Sequence, residues 1–380
     1  MDKNTIKVID HLIGFKKHYL IKFLILFQLF IFVFSVFPAF NQVDSTEVKS
    51  QKEKKPKKIL PLFDSDDPLN VTLRFNLTQF LKKKEKAESL DGVLTIYFSK
   101  TDSIDKNVII KHRGIWRHEN CDFPPIQINF KKSIYVYSDS GKIKKMKLVT
   151  HCQTSPLYDE YVLREFLVYK LYSVLTDSSF RVRLLKVTYL DTEKNRKPVR
   201  QYGIFIEPVN ILALRTNSAV IKLTKLSQRS IIPEVMARLA IFNYMVANWD
   251  WSIPGQHNVV VIKPLTLENA QFGVAVPFDF DLTGVVNAEY AITSPELGLQ
   301  NIRERLFQGM CYNKEVYQEA LNEFILKKDK FYSVINEFPL LNQRSKKDII
   351  SFLDSFFDQL NKQKNIDILI YDFMENCKKL

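Results

Sequence analysis

Glycine is scarce, with 10 in 380 residues. That scarcity, and the spacing of the few present, excludes a glycine-rich phosphate loop of P-loop or dinucleotide-binding type. No repeat of regular period is visible, so a repeat architecture is not expected. No zinc-finger, RNP-type or basic-zipper signature occurs, and nucleic acid is not expected as a partner. Cysteine is limited to Cys121, Cys152, Cys311 and Cys377.

The composition that remains is that of a densely packed globular chain. Hydrophobic residues make up 46%, with 29 Phe and 16 Tyr. That is enough for one large domain or two lobes. The formal charge is +13. Residues 1–42 carry five Lys and two Asp, which leaves +10 on the remainder. Dense basic runs are confined to Lys52–Lys58 and Lys82–Lys84. Their plain reading is solubility and a solvated linker; the sharper one is affinity for an anionic partner such as a nucleotide, a phosphorylated product or a membrane surface.

Phe23–Phe40 (FLILFQLFIFVFSVFPAF) is almost wholly apolar and follows Lys16, Lys17 and Lys22. This is a positive segment followed by a hydrophobic one, the pattern of a signal peptide or an N-terminal membrane anchor. Both readings fit, because the span suffices for a membrane helix and the cleavage pattern is poor. The expected location is therefore the periplasm or the outer face of the cytoplasmic membrane, with membrane contact through this segment if it is uncleaved. We expect residues 1–42 to form this element, 43–65 a flexible linker, 66–210 a strand-rich lobe and 211–380 a mostly helical lobe. Export permits disulfides. Cys121 with Cys152 is the expected pair; free buried thiols, or a zinc site with His118 and His151, are the alternatives.

Short alternating runs predict strands in VTLRFNL, GVLTIYF, NVIIKHRG, IQINF and KKMKLVTH, separated by turn chemistry at Asp91-Gly92, Asp102-Ser103 and Pro124-Pro125. Tyr158–Leu175 switches to a helical period, with Tyr161, Phe166, Tyr169 and Tyr172 near one face. Two strands, a buried helix at 234–247 and a strand pair flanking an acidic loop follow. The end of the chain reads as helical. The fold class is α+β and two-lobed.

Two segments carry the chemistry. In NYMVANWDWSIPGQHNVVVIKP, Asp250 lies between Trp249 and Trp251, and Asn258 follows a Pro-Gly turn. A base followed by a metal-binding Asn is the logic of phosphoryl-transfer loops; an ordinary turn is the alternative. In VPFDFDLTG, strand alternation would set Asp279 and Asp281 on one face, roughly 7 Å apart, where they repel unless a cation lies between them. Capping of the turn at Thr283-Gly284 is the alternative. Arg113, before Gly114, is suited to a phosphate or an ion pair. Glu165 is either its partner or a solvated helix acid.

At these residues the chain resembles the spore-coat CotH-type kinase-like family, in its exported bacterial branch. The likeness runs from Arg113-Gly114 through LVTHC, YVLREFLVYKLY, YGIFIE and NWDWSIPGQHN to PFDFDLTG, over roughly residues 105–310. It implies a reduced, atypical protein-kinase fold, with a strand-rich lobe followed by a mostly helical one, and Mg2+ and ATP as cofactors. Asp250 would be the catalytic Asp, and Asn258 and Asp279 would hold the metal with Asp281 close by. Glu165 would be the helix glutamate of the first lobe, and Glu207 would close the lobe junction. The family's Phe-Pro-Lys-Lys segment is replaced by DFPPIQINF, so Arg113 or Lys147 would supply the phosphate cation. The expected protein is a monomer acting on an unknown protein or envelope acceptor. An inactive kinase-like scaffold and a metal-dependent hydrolase are the rival functions.

Overall fold

The computed structural model describes residues 57–82, 89–114, 116–222, 226–266 and 272–379. The apolar span 23–40 and most of the expected linker lie outside the described residues. Among the described residues no helix is long and apolar enough to cross a membrane.

The first half runs β1 (Leu69–Phe75), α1 (Leu77–Lys82), β2 (Leu90–Tyr97), β3 (Ser103–His112), α2 (Trp116–Asn120), β4 (Ile126–Tyr135) and β5 (Lys142–Val149). Then come α3 (Pro156–Leu175), β6 (Val182–Asp191), β7 (Val199–Ile206), α4 (Val209–Arg215) and β8 (Ser218–Val220). The rest is α5 (Pro233–Met245), β9 (Val259–Pro264), β10 (Val274–Pro277), α6 (Lys314–Leu326), α7 (Lys328–Asn336), α8 (Gln343–Phe357) and α9 (Gln363–Asn376). The chain is thus α+β, a seven-stranded barrel with helices toward the C-terminus.

The barrel closes in the order β1-β2-β3-β4-β5-β7-β6. Antiparallel pairs make up the wall, and a parallel β1–β6 pair, from Leu69 opposite Leu185 to Phe75 opposite Asp191, closes it. Alternation builds it: Leu69, Val71, Leu73 and Phe75 of β1 are buried while Asn70 and Arg74 face out. Side chains fill the interior, with Leu73, Phe75, Leu94, Ile110 and Phe205 fully buried. Gly92 permits the tight crossing of β2, since a Cβ there would lie 2.8 Å from the Arg74 carbonyl oxygen.

A second core joins α3 to the C-terminal helices and the small β10-β9-β8 sheet. The sequence suggests one apolar face on α3. Instead Tyr158, Tyr161–Tyr169, Leu171, Tyr172 and Leu175 are all buried. The reason is position: α3 packs against β6 and β7 and also against α7, so no face of its central turns meets water, while Leu157 and Ser173 near its ends are exposed. Pro156 starts it, with its fixed φ and missing N–H suited to the first turn. Asn313 and Asn342 cap α6 and α8, accepting from the N–H groups of Val316 and Ser345. The apolar face read for the terminal region is present in α8, where Ile349, Phe352, Leu353, Phe356 and Phe357 are buried.

Two expectations change here. The linker does not extend to residue 65, because Leu60, Leu62 and Phe63 are buried in the barrel core and the Leu60 N–H donates to the Tyr135 carbonyl at 2.8 Å. Free thiols and a zinc site are both ruled out, because Cys121 is bonded to Cys152 and Cys311 to Cys377. His151 is instead a buried ring without a hydrogen-bond partner among the described residues. Two disulfides point to an oxidising location outside the cytoplasm.

Candidate functional site

The β9–β10 hairpin sets the geometry. Val259 lies opposite Pro277, and one step further the Phe278 N–H donates to the Asn258 carbonyl at 2.9 Å. Asn258 and Asp279 therefore flank one end of the hairpin. Both have positive φ, 53° and 67°, a region Asn and Asp tolerate better than most residues. The Asp279 N–H is held by the Tyr169 hydroxyl at 2.8 Å.

Asp250 arrives from the other side. After α5, Ala247 turns at φ 50°, and the Asp250 N–H donates to Asn248 Oδ1 at 3.1 Å. Ser252 and His257 then exchange backbone hydrogen bonds of 2.9 Å across the Pro254-Gly255 turn. The chain folds back, so that His257 Nε2 lies 2.7 Å from Asp250 Oδ1 and Asn258 Nδ2 donates to Asp250 Oδ2 at 2.9 Å. Burial raises the Asp250 carboxyl above its ordinary range, against the lowering effect of His257.

FDFD is not a strand. β10 stops at Pro277, and the left-handed Asp279 breaks the alternation. Asp279 and Asp281 consequently do not share a strand face; each has its own guanidinium. Asp279 Oδ2 is 3.3 Å from Arg113 Nη2. Asp281 Oδ2 is 3.8 Å from Arg117 Nε and accepts from the Tyr290 hydroxyl at 3.5 Å. Neither carboxylate caps the following turn: Thr283 does so itself, its hydroxyl donating to the Phe280 carbonyl at 2.8 Å. Gly284 lets this loop press on the end of α5, where a Cβ would lie 2.8 Å from that of Ala247.

Glu165 is not a solvated helix acid. It is 2% exposed, and among the described residues its Oε1 has no hydrogen-bond partner. Burial, then Asp281 and Asp279, push it well above the ordinary carboxylate range, while Arg117 and Arg113 oppose that shift. Burial and Asp279 likewise push Asp281 up to about 6. Three carboxylates here face two guanidinium groups, and burial with mutual repulsion favours the neutral form of Glu165. Arg117 ties the cluster to the scaffold by donating to the Thr150 carbonyl, beside the Cys121–Cys152 disulfide.

Lys147 reaches the same place from β5. Its ammonium sits 3.8 Å from the centre of the Phe278 ring. Burial, with Arg113 nearby, lowers it to about 8. No ion pair joins Lys147 to Glu165 among the described residues; Arg117 and Arg113 supply the cations there. Beside Lys147 opens a cleft of about 600 Å³, bounded by Phe180, Ile206, Val260 and Phe278. Glu207 lies on its wall, apart from the carboxylate cluster. It is held by Arg215 at 3.2 and 3.0 Å, the Arg181 N–H at 3.1 Å and the Tyr137 hydroxyl at 3.3 Å.

Among the described residues no three His, Cys, Asp or Glu side chains form a metal cage. Magnesium does not need one, since it commonly takes one or two protein oxygens and completes its shell with water and phosphate. The side-chain hydrogen bonds of Asn258 and Asp279 run through Asn258 Nδ2 and Asp279 Oδ2, and among the described residues none involves Oδ1 of either. An amide and a carboxylate oxygen are of the hard type that a divalent cation such as magnesium takes. Asp281 is turned to Arg117 and Tyr290 instead.

No family model and no curated protein matches the chain. Among solved structures it has a distant likeness to the proinflammatory kinase CtkA of Helicobacter pylori. The TM-score is 0.34 and the identity 12%, over 74% of this chain and 91% of that one. At that TM-score the likeness carries no argument, so the site rests on its own geometry.

Arg117, His257 and Tyr290 belong to this cluster, and the motif reading did not single them out as its members. His257 had a signal, its place beside Asn258 in the return turn. Arg117 had a weaker one, a second arginine four residues after Arg113. Tyr290 had none, since its packing on Arg117 and Asp281 is a tertiary event.

Proposed function

We propose that this chain is an exported, kinase-like phosphotransferase of the CotH type, using magnesium and a nucleotide such as ATP to modify an acceptor of the cell envelope. The observation that carries this reading is the convergence of Asp250, Asn258 and Asp279 at one hairpin end, beside a cleft entered by Lys147. Asp250 positions the acceptor hydroxyl and takes its proton; the raised carboxyl makes it a stronger base than a solvated Asp. Lys147 and Arg113 bind the phosphates, and Phe180, Ile206 and Val260 hold the base. Asn258 and Asp279 hold the metal, which when bound neutralises phosphate charge. Asp281 fixes Arg117, and through it the charge balance of Glu165. Glu207 keeps the cleft wall in place through Arg215. Nucleotidyl transfer would use the same residues.

The protein acts as a monomer in the periplasm or on the outer face of the cytoplasmic membrane, held there by residues 23–40 if that segment is uncleaved. The test is transfer from labelled ATP with magnesium. Asp250→Ala is expected to lose turnover by about 10²–10⁴-fold, as for a general base, with little change in Tm. Retained turnover in that variant, or its unfolding, would overturn the assignment. A second reading, an inactive envelope-binding scaffold, is favoured by one observation: both Asp250 oxygens and Asp279 Oδ2 are already held by protein groups. Absence of any nucleotide-dependent thermal shift would select it, whereas a shift with metal alone would select a hydrolase.

A further inference from the structure

A second pocket, of about 810 Å³, opens at one end of the barrel and shares no lining residue with the cleft beside Lys147. Its walls are neighbours in the sheet. β1 begins there, with Asn70 opposite Tyr97 of β2 on one side and Lys186 of β6 on the other. The turn after β2 contributes Lys100, residues 61–68 contribute Asp64 and Asp67, and the start of β6 contributes Arg183.

Arg183 is the odd member of this lining. It is 7% exposed, and an arginine is seldom buried that far unless a carboxylate pairs with it. Among the described residues none does. Its guanidinium makes one hydrogen bond, from Nη1 to the Ser65 carbonyl at 2.7 Å, and Nε has no partner there. Burial lowers its pKa, while Asp67, Asp66 and Asp64 oppose that shift without pairing with it. The exposed part of the lining carries Asp64, Asp67 and Lys100, and none of these three has an ion pair among the described residues.

Two carboxylates and two cations thus line one pocket. A purely anionic ligand would be repelled by Asp64 and Asp67, and a purely cationic one by Arg183 and Lys100. A ligand with one charge of each sign meets neither conflict. The fork of donors on the buried Arg183 matches a carboxylate. Pro61, Pro68, Tyr97 and Phe98 add apolar and aromatic surface. We infer that this pocket binds an α-amino acid with an apolar side chain. Its carboxylate meets Arg183, its ammonium turns to Asp64 and Asp67, and its side chain lies along Tyr97 and Phe98.

Calorimetric titration of the full-length chain tests this independently of the nucleotide reading. The probes are L-phenylalanine, 3-phenylpropanoate, which lacks the ammonium, and 2-phenylethylamine, which lacks the carboxylate. Phenylalanine should bind at least about tenfold tighter than either analogue, the effect of one charge-assisted contact in each case. Arg183→Gln should abolish binding. If that variant does not fold, Asp64→Asn/Asp67→Asn decides, because both side chains are exposed. There the ratio of the phenylalanine and 3-phenylpropanoate affinities should fall to about one on that same contact-counting basis. Binding retained in folded Arg183→Gln, an affinity shared with either analogue, a ratio unchanged in the double variant, or no binding of phenylalanine at all would overturn the inference.

Discussion

In the barrel the inward positions are apolar, and the polar side chains between them face water. Around Asp279 three carboxylates and two arginines are buried or partly buried instead, and among the described residues one oxygen of Glu165 has no hydrogen-bond partner. The barrel is what a chain builds for stability. The cluster works against it, because buried charges lose hydration and regain it only in part through pairing. Regular structure also stops there: Asn258 and Asp279 take left-handed backbone, while β1 alternates without interruption. Local departures of this kind, set on rigid supports, are where a fold holds reactive groups.

That contrast can be broken from either side. The largest effect is expected from Phe205→Ala, which empties a fully buried barrel position and should cost about 3–5 kcal/mol in denaturant unfolding. A loss below about 1 kcal/mol would mean that the interior is not close-packed. Arg117→Met follows, at about 3 kcal/mol or more, because Glu165 and Asp281 would lose their shared cation. Adding Glu165→Gln should recover part of that loss, and strict additivity of the two changes would remove the coupling we assign.

The pH dependence is smaller, and its sign is distinctive. Asp281 sits at about 6 in the folded chain, above the ordinary Asp value. Between these values the native state binds more protons than the unfolded one, so this group's contribution to stability falls as pH rises from about 4 to about 6, then levels off. Asp281→Asn should remove that slope from a Tm-against-pH curve. An unchanged slope would place its origin elsewhere. The smallest effect belongs to the barrel surface: Lys131 pairs with Asp91 at 2.6 Å with both side chains well exposed, and Lys131→Ala should leave Tm unaltered.

Strands such as β1 were legible because they obey a period of two set by one wet and one dry side, while β6 and β7 each hold a run of four buried residues where α3 covers them. The burial of α3 was not legible, since a helix packed on every side has no polar stripe to betray its orientation. FDFD misled for a related reason. Phe278 and Phe280 continue the rhythm of β10, while the turn at Asp279 comes from tertiary contact with Tyr169. Asp250 and Asn258 stood out as oxygen-bearing residues around a Pro-Gly turn, and the turn does bring them together. The Cys121–Cys152 bond could be anticipated from neighbouring segments. Cys311 and Cys377, 66 residues apart, gave no such clue.

The most direct test is a crystal of the full chain soaked with magnesium and a non-hydrolysable nucleotide. The account predicts one ion bound by Oδ1 of Asn258 and Asp279, with phosphate oxygens on Lys147 and Arg113 and the base against Ile206 and Val260. A nucleotide bound elsewhere, or an ion that leaves Asn258 and Asp279 untouched, would contradict it.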